Sequence, residues 1–326
     1  MRDECFLAFD TSCYTTSIAV VSGGRVLYDK RIMLSVEKGA RGLRQSEAVF
    51  QHVKNLKSIL SQYPMQKYNI KGVACSEKPR PRDDSYMPVF CVGESAAMLC
   101  ASALGASYYA LTHQHGHIYS AFLGGAAFEG DCCAVHASGG TLDVLRVSVS
   151  GGVITGITEI GGTLDITCGQ LIDRTGVAAG LMFPAGADME KFYSLGGAKL
   201  SVNVNGLFAN LSGAEAQAKR LLEEGAERSY VFSGVIDCAA ETLARLVTNA
   251  AEHTSIKKFV FTGGVICNRI IREKLLYVCG KNGFECIFAD KEYSADNACG
   301  LALAAEILYK GVPFLGVEKE HKIEHN

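Results

Sequence analysis

Three histidines alternate in Thr112-His113-Gln114-His115-Gly116-His117, and two of them, His113 and His117, stand four residues apart. On a helix, positions i and i+4 share a face, so this spacing aims both imidazoles at one point. Far downstream, Asp296 in Ser294-Ala295-Asp296-Asn297-Ala298 precedes an apolar, Ala-rich stretch and offers a carboxylate as third ligand. Two histidines and an aspartate hold a divalent metal with coordination positions left open, as catalytic sites do and closed structural zinc sites do not. Histidine pairs at this spacing also arise by chance, so on local grounds a metal site and a polar helix face remain alternatives. A zinc-protease reading is weaker, because Gln114 stands where that signature needs a glutamate base. His115 falls on the other side of the helix and reads as a polar side chain at the mouth of a cleft.

Three further segments suit a nucleotide. Asp10-Thr11-Ser12-Cys13-Tyr14-Thr15-Thr16 is a hydroxyl-rich turn, Ser138-Gly139-Gly140-Thr141 a small-residue turn, and Thr262-Gly263-Gly264-Val265 a Gly-Gly turn with Asn268-Arg269 opening a helix behind it. Glycine lets backbone N–H groups approach phosphate closely, and a helix N-terminus adds to the same attraction. Each of the first two turns taken singly also fits an ordinary hairpin, whereas as a pair they favour the nucleotide. Asp173, in Leu171-Ile172-Asp173-Arg174-Thr175-Gly176, suits a ribose because a carboxylate accepts from both hydroxyls; it fits equally a surface carboxylate beside Arg174.

The elements that carry these groups are legible in outline. Cys5–Phe9, Ser17–Val21 and Val26–Tyr28 form a strand meander around the first turn, residues 43–62 carry helical periodicity, Gly72–Cys75 is a buried strand, residues 93–104 a small-residue helix and Tyr108–Leu111 a strand leading into the histidines. Cys133–Ala137, Leu142–Val149 and Val153–Ile157 repeat the meander, and Lys258–Phe261 adds a strand before its glycine turn. This duplication implies an α/β chain of two lobes in the manner of actin, sugar kinases and Hsp70, with a nucleotide- and metal-binding cleft between them. The expected division is 1–111, completed by a C-terminal helix 297–326, and 112–296.

With 326 residues the chain suffices for two domains of ordinary size. Its 32 basic and 34 acidic residues leave a formal charge of −2, so any nucleic-acid contact is expected to be local or shared with partner proteins. The 13 cysteines are scattered without CxxC pairs and read as small core residues in a reducing cytosol. Asp3 and Glu4 precede only a short apolar run, which argues against a signal peptide, and no stretch is apolar enough to span a bilayer. A soluble, cytoplasmic protein with no membrane association is expected.

Taken together, Asp10-Thr11-Ser12-Cys13, His113-x-x-x-His117, Ser138-Gly139-Gly140, Asp173-Arg174-Thr175, Pro184-Ala185-Gly186, Gly263-Gly264-Val265 with Asn268-Arg269, and Asp296-Asn297 follow one another as in one family. Over nearly its whole length the chain resembles the TsaD family, Gcp-like proteins once labelled glycoproteases, which make threonylcarbamoyladenosine in tRNA. The resemblance implies transfer of a threonylcarbamoyl group from threonylcarbamoyl-AMP to N6 of the adenosine next to the anticodon. It implies one iron or zinc ion on His113, His117 and Asp296. It implies an adenine nucleotide (the adenylate, or AMP, ADP or ATP) met by Ser12, Ser138, Gly139, Gly140, Asp173, Gly186, Gly263, Gly264 and Asn268. It implies Ser138, beside the reacting group, and Thr15 as the catalytic residues. tRNA, other subunits of a threonylcarbamoyl-transfer complex, and a homo- or heterodimer are the implied partners.

The chain also departs from the family pattern. Tyr14 and Thr15 replace an acidic pair, Thr141 replaces a histidine, His115 replaces a glutamate, and Glu77-Lys78-Pro79-Arg80-Pro81-Arg82-Asp83-Asp84 replaces a Pro-Gly-Pro-Gly loop. Lys78, Arg80 and Arg82 suit a phosphate or simply a solvated loop. The sequence therefore reads as a divergent paralogue. Two other functions are a carbamoyltransferase acting on a different acceptor, which Tyr14, Thr15 and Thr141 favour, and a non-catalytic scaffold of the tRNA-modifying complex, against which the retained ligands speak.

Overall fold

The computed structural model describes residues 3–35, 43–62, 67–125 and 127–311. It divides into two compact units, one of Met1–Glu129, Val149–Ile154 and Asp296–Asn326, the other of Gly130–Ser148 and Thr155–Ala295.

In the first unit, β1 (Glu4–Thr11), β2 (Thr15–Ser22) and β3 (Arg25–Met33) form an antiparallel meander, and β4 (Asn69–Lys78) and β5 (Ser107–Thr112) extend the sheet in parallel. The strand order is β3-β2-β1-β4-β5. Residues Cys5–Thr11 are buried without alternation, as a strand covered on both faces must be. Leu7, Phe9, Ile18 and Val20 share a core with Leu56 and Ile59 of α1 (Gln45–Gln62) and Ala97 and Ala101 of α2 (Phe90–Leu104). Two more helices belong to this unit, α3 (His113–Ser120) and the late α10 (Cys299–Lys310).

In the second unit, β6 (Gly130–Ala137), β7 (Leu142–Ser150) and β8 (Val153–Thr163) are followed by α4 (Cys168–Ala178), α5 (Gly186–Lys191), β9 (Asn203–Asn205), β10 (Phe208–Asn210), α6 (Ser212–Glu223) and α7 (Arg228–Thr254). Then come β11 (Lys258–Thr262), a 3-10 turn at Gly264–Cys267, α8 (Arg269–Asn282), β12 (Glu285–Phe288) and α9 (Lys291–Ser294), after which the chain returns to the first unit. The sheet order is β12-β11-β6-β7-β8-β10-β9. Read from β8 to β12, it repeats the first sheet strand for strand, with β10 and β9 added at the β8 edge. The core side of β6 and β7 (Val135, Ala137, Leu142, Val144) packs with Phe232, Val235, Ile236 and Leu243 of α7.

The expected boundary at residue 111 needs correction: α3 and the residues to Glu129 belong to the first unit, and so does Asp296. The cause is local packing between α3 and α10. A Cβ on Gly300 would overlap the carbonyl oxygen of Gly116, and one on Gly116 would press on Leu301, so the two helices meet backbone to backbone. Of the expected C-terminal helix 297–326, the observed part ends at Lys310, and residues 312–326 lie outside the described ones.

Candidate metal centre

The chain enters α3 through a capping box. The Thr112 hydroxyl accepts the His115 N–H, and His115 Nδ1 reaches back to the Thr112 N–H at 3.3 Å. His115 is therefore a capping side chain rather than a free group at a cleft mouth, and burial pulls its pKa down to about 4, so its ring is neutral. With the helix start fixed, His113 and His117 rise from one face and their Nε2 atoms stand 3.1 Å apart.

Asp296 comes to the same point because the start of α10 is anchored to its neighbours. Asn297 Oδ1 accepts the Cys299 N–H at 2.8 Å and bonds the Ser120 hydroxyl, and the Ala298 N–H donates to Ser17 Oγ of β2 at 2.9 Å. Asp296 Oδ1 then lies 3.3 Å from His117 Nε2 and 3.5 Å from His113 Nε2. Donors bound about 2.0–2.1 Å from a tetrahedral ion are about 3.3 Å from one another, so this set fits a first-row divalent metal.

Residues behind the triad hold it in place. Ser12 Oγ donates to Asp296 Oδ2 at 2.6 Å. Buried His52 of α1 bonds the Ser12 carbonyl through Nε2 at 2.9 Å and Thr16 Oγ1 through Nδ1 at 2.8 Å, and burial pushes its pKa down. His113 Nδ1 lies 2.8 Å from Asp10 Oδ2, and Ser76 Oγ donates to Asp10 Oδ1 at 2.5 Å.

The electrostatics follow from this crowding. Burial works against charge on His113, but the Asp10 and Asp296 carboxylates outweigh it and hold the imidazolium well above the ordinary histidine range. Burial likewise opposes the Asp296 anion, yet His113 and His117 hold it well below the usual carboxylate range. His117 is pushed down by burial and by the charge on His113. Cys13, beside the cluster, has its thiol pushed up by burial, so it stays protonated.

The other expected site residues fall as follows. Thr15 is buried at the start of β2, its carbonyl 3.4 Å from Ser12 Oγ, while Tyr14 is 45 % exposed. In the second unit, Ser138 Oγ accepts the Thr141 N–H at 3.1 Å, closing the turn over Gly139 and Gly140. The α4 N-terminus packs against that turn, where Gly169 has no room for a Cβ and Thr167 Oγ1 donates to the Gly139 carbonyl at 2.9 Å. Asp173 accepts the Ala185 N–H at 2.7 Å, which brings it beside Gly186, while Arg174 pairs with Glu215. Gly263, at φ +100°, approaches the Ala137 carbonyl too closely for a side chain. Buried Asn268 caps α8, accepting from the Ile270 and Ile271 N–H groups at 3.1 Å each. At the end of β4 Lys78 pairs with Glu77, and in the loop that follows Arg82 pairs with Asp84 and the Pro79 carbonyl accepts the Gln114 N–H of α3 at 3.1 Å.

Sequence reasoning missed Asp10, Ser76 and His52. A single aspartate ending a strand has no distinctive pattern, and its partner is 103 residues away. The polar Asp10-Thr11-Ser12 run at the end of a fully apolar strand was the one available signal.

The family model described as tRNA N6-adenosine threonylcarbamoyltransferase matches residues 41–303. The chain belongs to the TsaD family. Among curated relatives, a tRNA N6-adenosine threonylcarbamoyltransferase of Thermus thermophilus is 27 % identical over 315 residues, covering 94 % of this chain and 92 % of that protein. Among solved structures, full-length HypF in a phosphate- and nucleotide-bound form matches with a TM-score of 0.59 at 12 % identity, over 95 % of this chain and 56 % of that one. A ROK family glucokinase from Streptomyces griseus, in complex with glucose and AMPPNP, matches with a TM-score of 0.53 at 11 % identity, over 93 % and 98 %. These two likenesses establish the shared two-sheet α/β fold of the actin and sugar-kinase type. Among the described residues, no helix is long and apolar enough to cross a membrane.

Proposed function

We propose that this chain transfers the threonylcarbamoyl group from threonylcarbamoyl-AMP to N6 of the adenosine next to the anticodon of tRNA, with one zinc or iron ion on His113, His117 and Asp296. The observation that carries the reading is the convergence of those three donor groups within 4.8 Å of one another, in a member of a family of tRNA threonylcarbamoyltransferases. A bound divalent ion supplies Lewis acidity toward a carbonyl oxygen of the transferred group. In the transfer, the acyl carbon gains a bond to the exocyclic amine, its bond to the phosphate oxygen breaks, AMP leaves, and the amine gives up a proton.

The chain's own residues serve binding and orientation. The Ser12 hydroxyl turns Asp296 so that one oxygen faces the histidines. In the second unit the Ser138-Gly139-Gly140 turn and the Gly263-Gly264 turn offer open backbone to phosphate; Asp173 with Gly186, and Asn268 at the head of α8, serve the nucleoside. Neither Tyr14 nor Thr15 can take the amine proton as a carboxylate would. This favours one second reading, the same acyl-transfer chemistry toward another acceptor. tRNA is bound together with partner subunits, which agrees with the near-neutral net charge of −2.

Incubating the full chain with tRNA, threonine, bicarbonate, ATP and an enzyme that makes the adenylate tests this. The modified nucleoside is expected in digested tRNA, and its loss in His113→Ala. Formation only after a second, more typical family member is added would refute the catalytic assignment to this chain.

A further inference from the structure

Asp10 lies at the end of β1, outside the ligand set, and is 1 % exposed. A carboxylate so buried is costly unless both its oxygens are engaged, and here both are. Oδ1 accepts from Ser76 at 2.5 Å, and Oδ2 faces His113 Nδ1 at 2.8 Å. Nδ1 points away from Nε2, the ring atom that faces His117 Nε2 and Asp296 Oδ1. Asp10 is thus placed to hold the ring rather than to reach an ion on its far side.

We infer that Asp10, steadied by Ser76, is a positioning residue that sets the affinity of the centre by fixing His113 with its proton on Nδ1 and its lone pair on Nε2. The inference rests on the metal reading above. The physical argument has two parts. A carboxylate accepting from Nδ1–H makes Nε2 a stronger donor, and it prevents the ring from flipping to the tautomer in which Nε2 carries the proton. Ser76 acts one bond further back, pinning the second carboxylate oxygen so that the first keeps its direction. Asp10 also joins the parallel pair of strands to the histidine helix, since Ser76 is on β4 and His113 opens α3. The ligand geometry is therefore built into the sheet before any ion arrives.

The test is a cobalt(II) titration of the metal-stripped full chain, read by visible absorption, for the wild type and for Asp10→Asn, Asp10→Ala and Ser76→Ala, with melting temperatures taken in chelator. One cobalt per chain is expected for the wild type. Loss of an outer carboxylate of this kind weakens binding about 10–100-fold. Asp10→Ala is expected to show that loss in full with altered absorption bands; Asp10→Asn keeps an acceptor and is expected to fall between. Ser76→Ala is expected to weaken binding less than Asp10→Ala, and it carries the test if either Asp10 variant fails to fold. Wild-type affinity and wild-type bands in a folded Asp10→Ala protein, or in Ser76→Ala where Asp10→Ala does not fold, would overturn the inference while leaving the metal reading intact. Absence of cobalt binding by the wild type would overturn both.

Discussion

At the scale of residues, the shared direction of His113 and His117 was legible because i, i+4 spacing fixes it on a helix, and the structure brings their donor atoms and that of Asp296 within 4.8 Å of one another. His115 was legible only in part. Its position three residues after Thr112 is that of a capping box, and a histidine there does what glutamate or glutamine does elsewhere. Asn268 shows a different limit. Its sequence context suggested nucleoside binding but did not show that its side-chain oxygen also accepts from two backbone N–H groups of α8. Replacing an N-cap asparagine by alanine costs ~1 kcal/mol. Asn268→Ala is therefore expected to lower stability by about that amount in denaturant titration, whatever it does to nucleotide affinity; a variant as stable as the wild type would show that the cap is not needed.

At the scale of elements, the two meanders and the strand before each glycine turn were readable from apolar runs. The long α7 and the short β9 and β10 were not, because α7 is buried along most of its length and lacks a clean amphipathic stripe. The α3–α10 contact was equally hidden: nothing in the sequence tells that Gly116 and Gly300 face each other. Overpacking of this kind costs about 1–3 kcal/mol or more, so Gly300→Ala is expected to lower the melting temperature and to weaken metal binding together; a change in neither would show that the helices can part. In the second unit Asp165 ties two elements, accepting from the Ile166, Leu211 and Ser212 N–H groups and from the Ser212 hydroxyl. Although burial opposes it, those bonds hold its carboxyl below its ordinary value of 3.8. A lowered folded pKa contributes stability that is full above the unfolded value and lost as pH falls through the folded one. The gap in melting temperature between wild type and Asp165→Ala is thus expected to be constant above about pH 5 and to shrink below about pH 4. A gap that widens on acidification would contradict the hydrogen-bonding role.

At the scale of the whole molecule, the sequence showed that the meander recurs, and the structure shows more: five strands in the same order in each sheet. What it could not show was which unit owns which segment, because packing rather than chain order decides that α3 and Asp296 fold with the first sheet. The three candidate ligands lie far apart in the chain yet in one unit, so an ion held by them would tie the start of α10 to α3. Ligand at a hundred times its Kd stabilises the state it binds by about 2.7 kcal/mol. Hydrogen exchange is accordingly expected to slow on zinc addition in Cys299–Lys310 as well as in His113–Ser120. Slowing in α3 with none in α10 would mean that Asp296 takes no part. The most direct measurement is elemental analysis of the purified chain and of Asp296→Ala and His113→Ala. Near one zinc or iron per wild-type chain and almost none in either variant is the expected result; equal metal in all three proteins, or none in the wild type, would contradict a centre built from His113, His117 and Asp296.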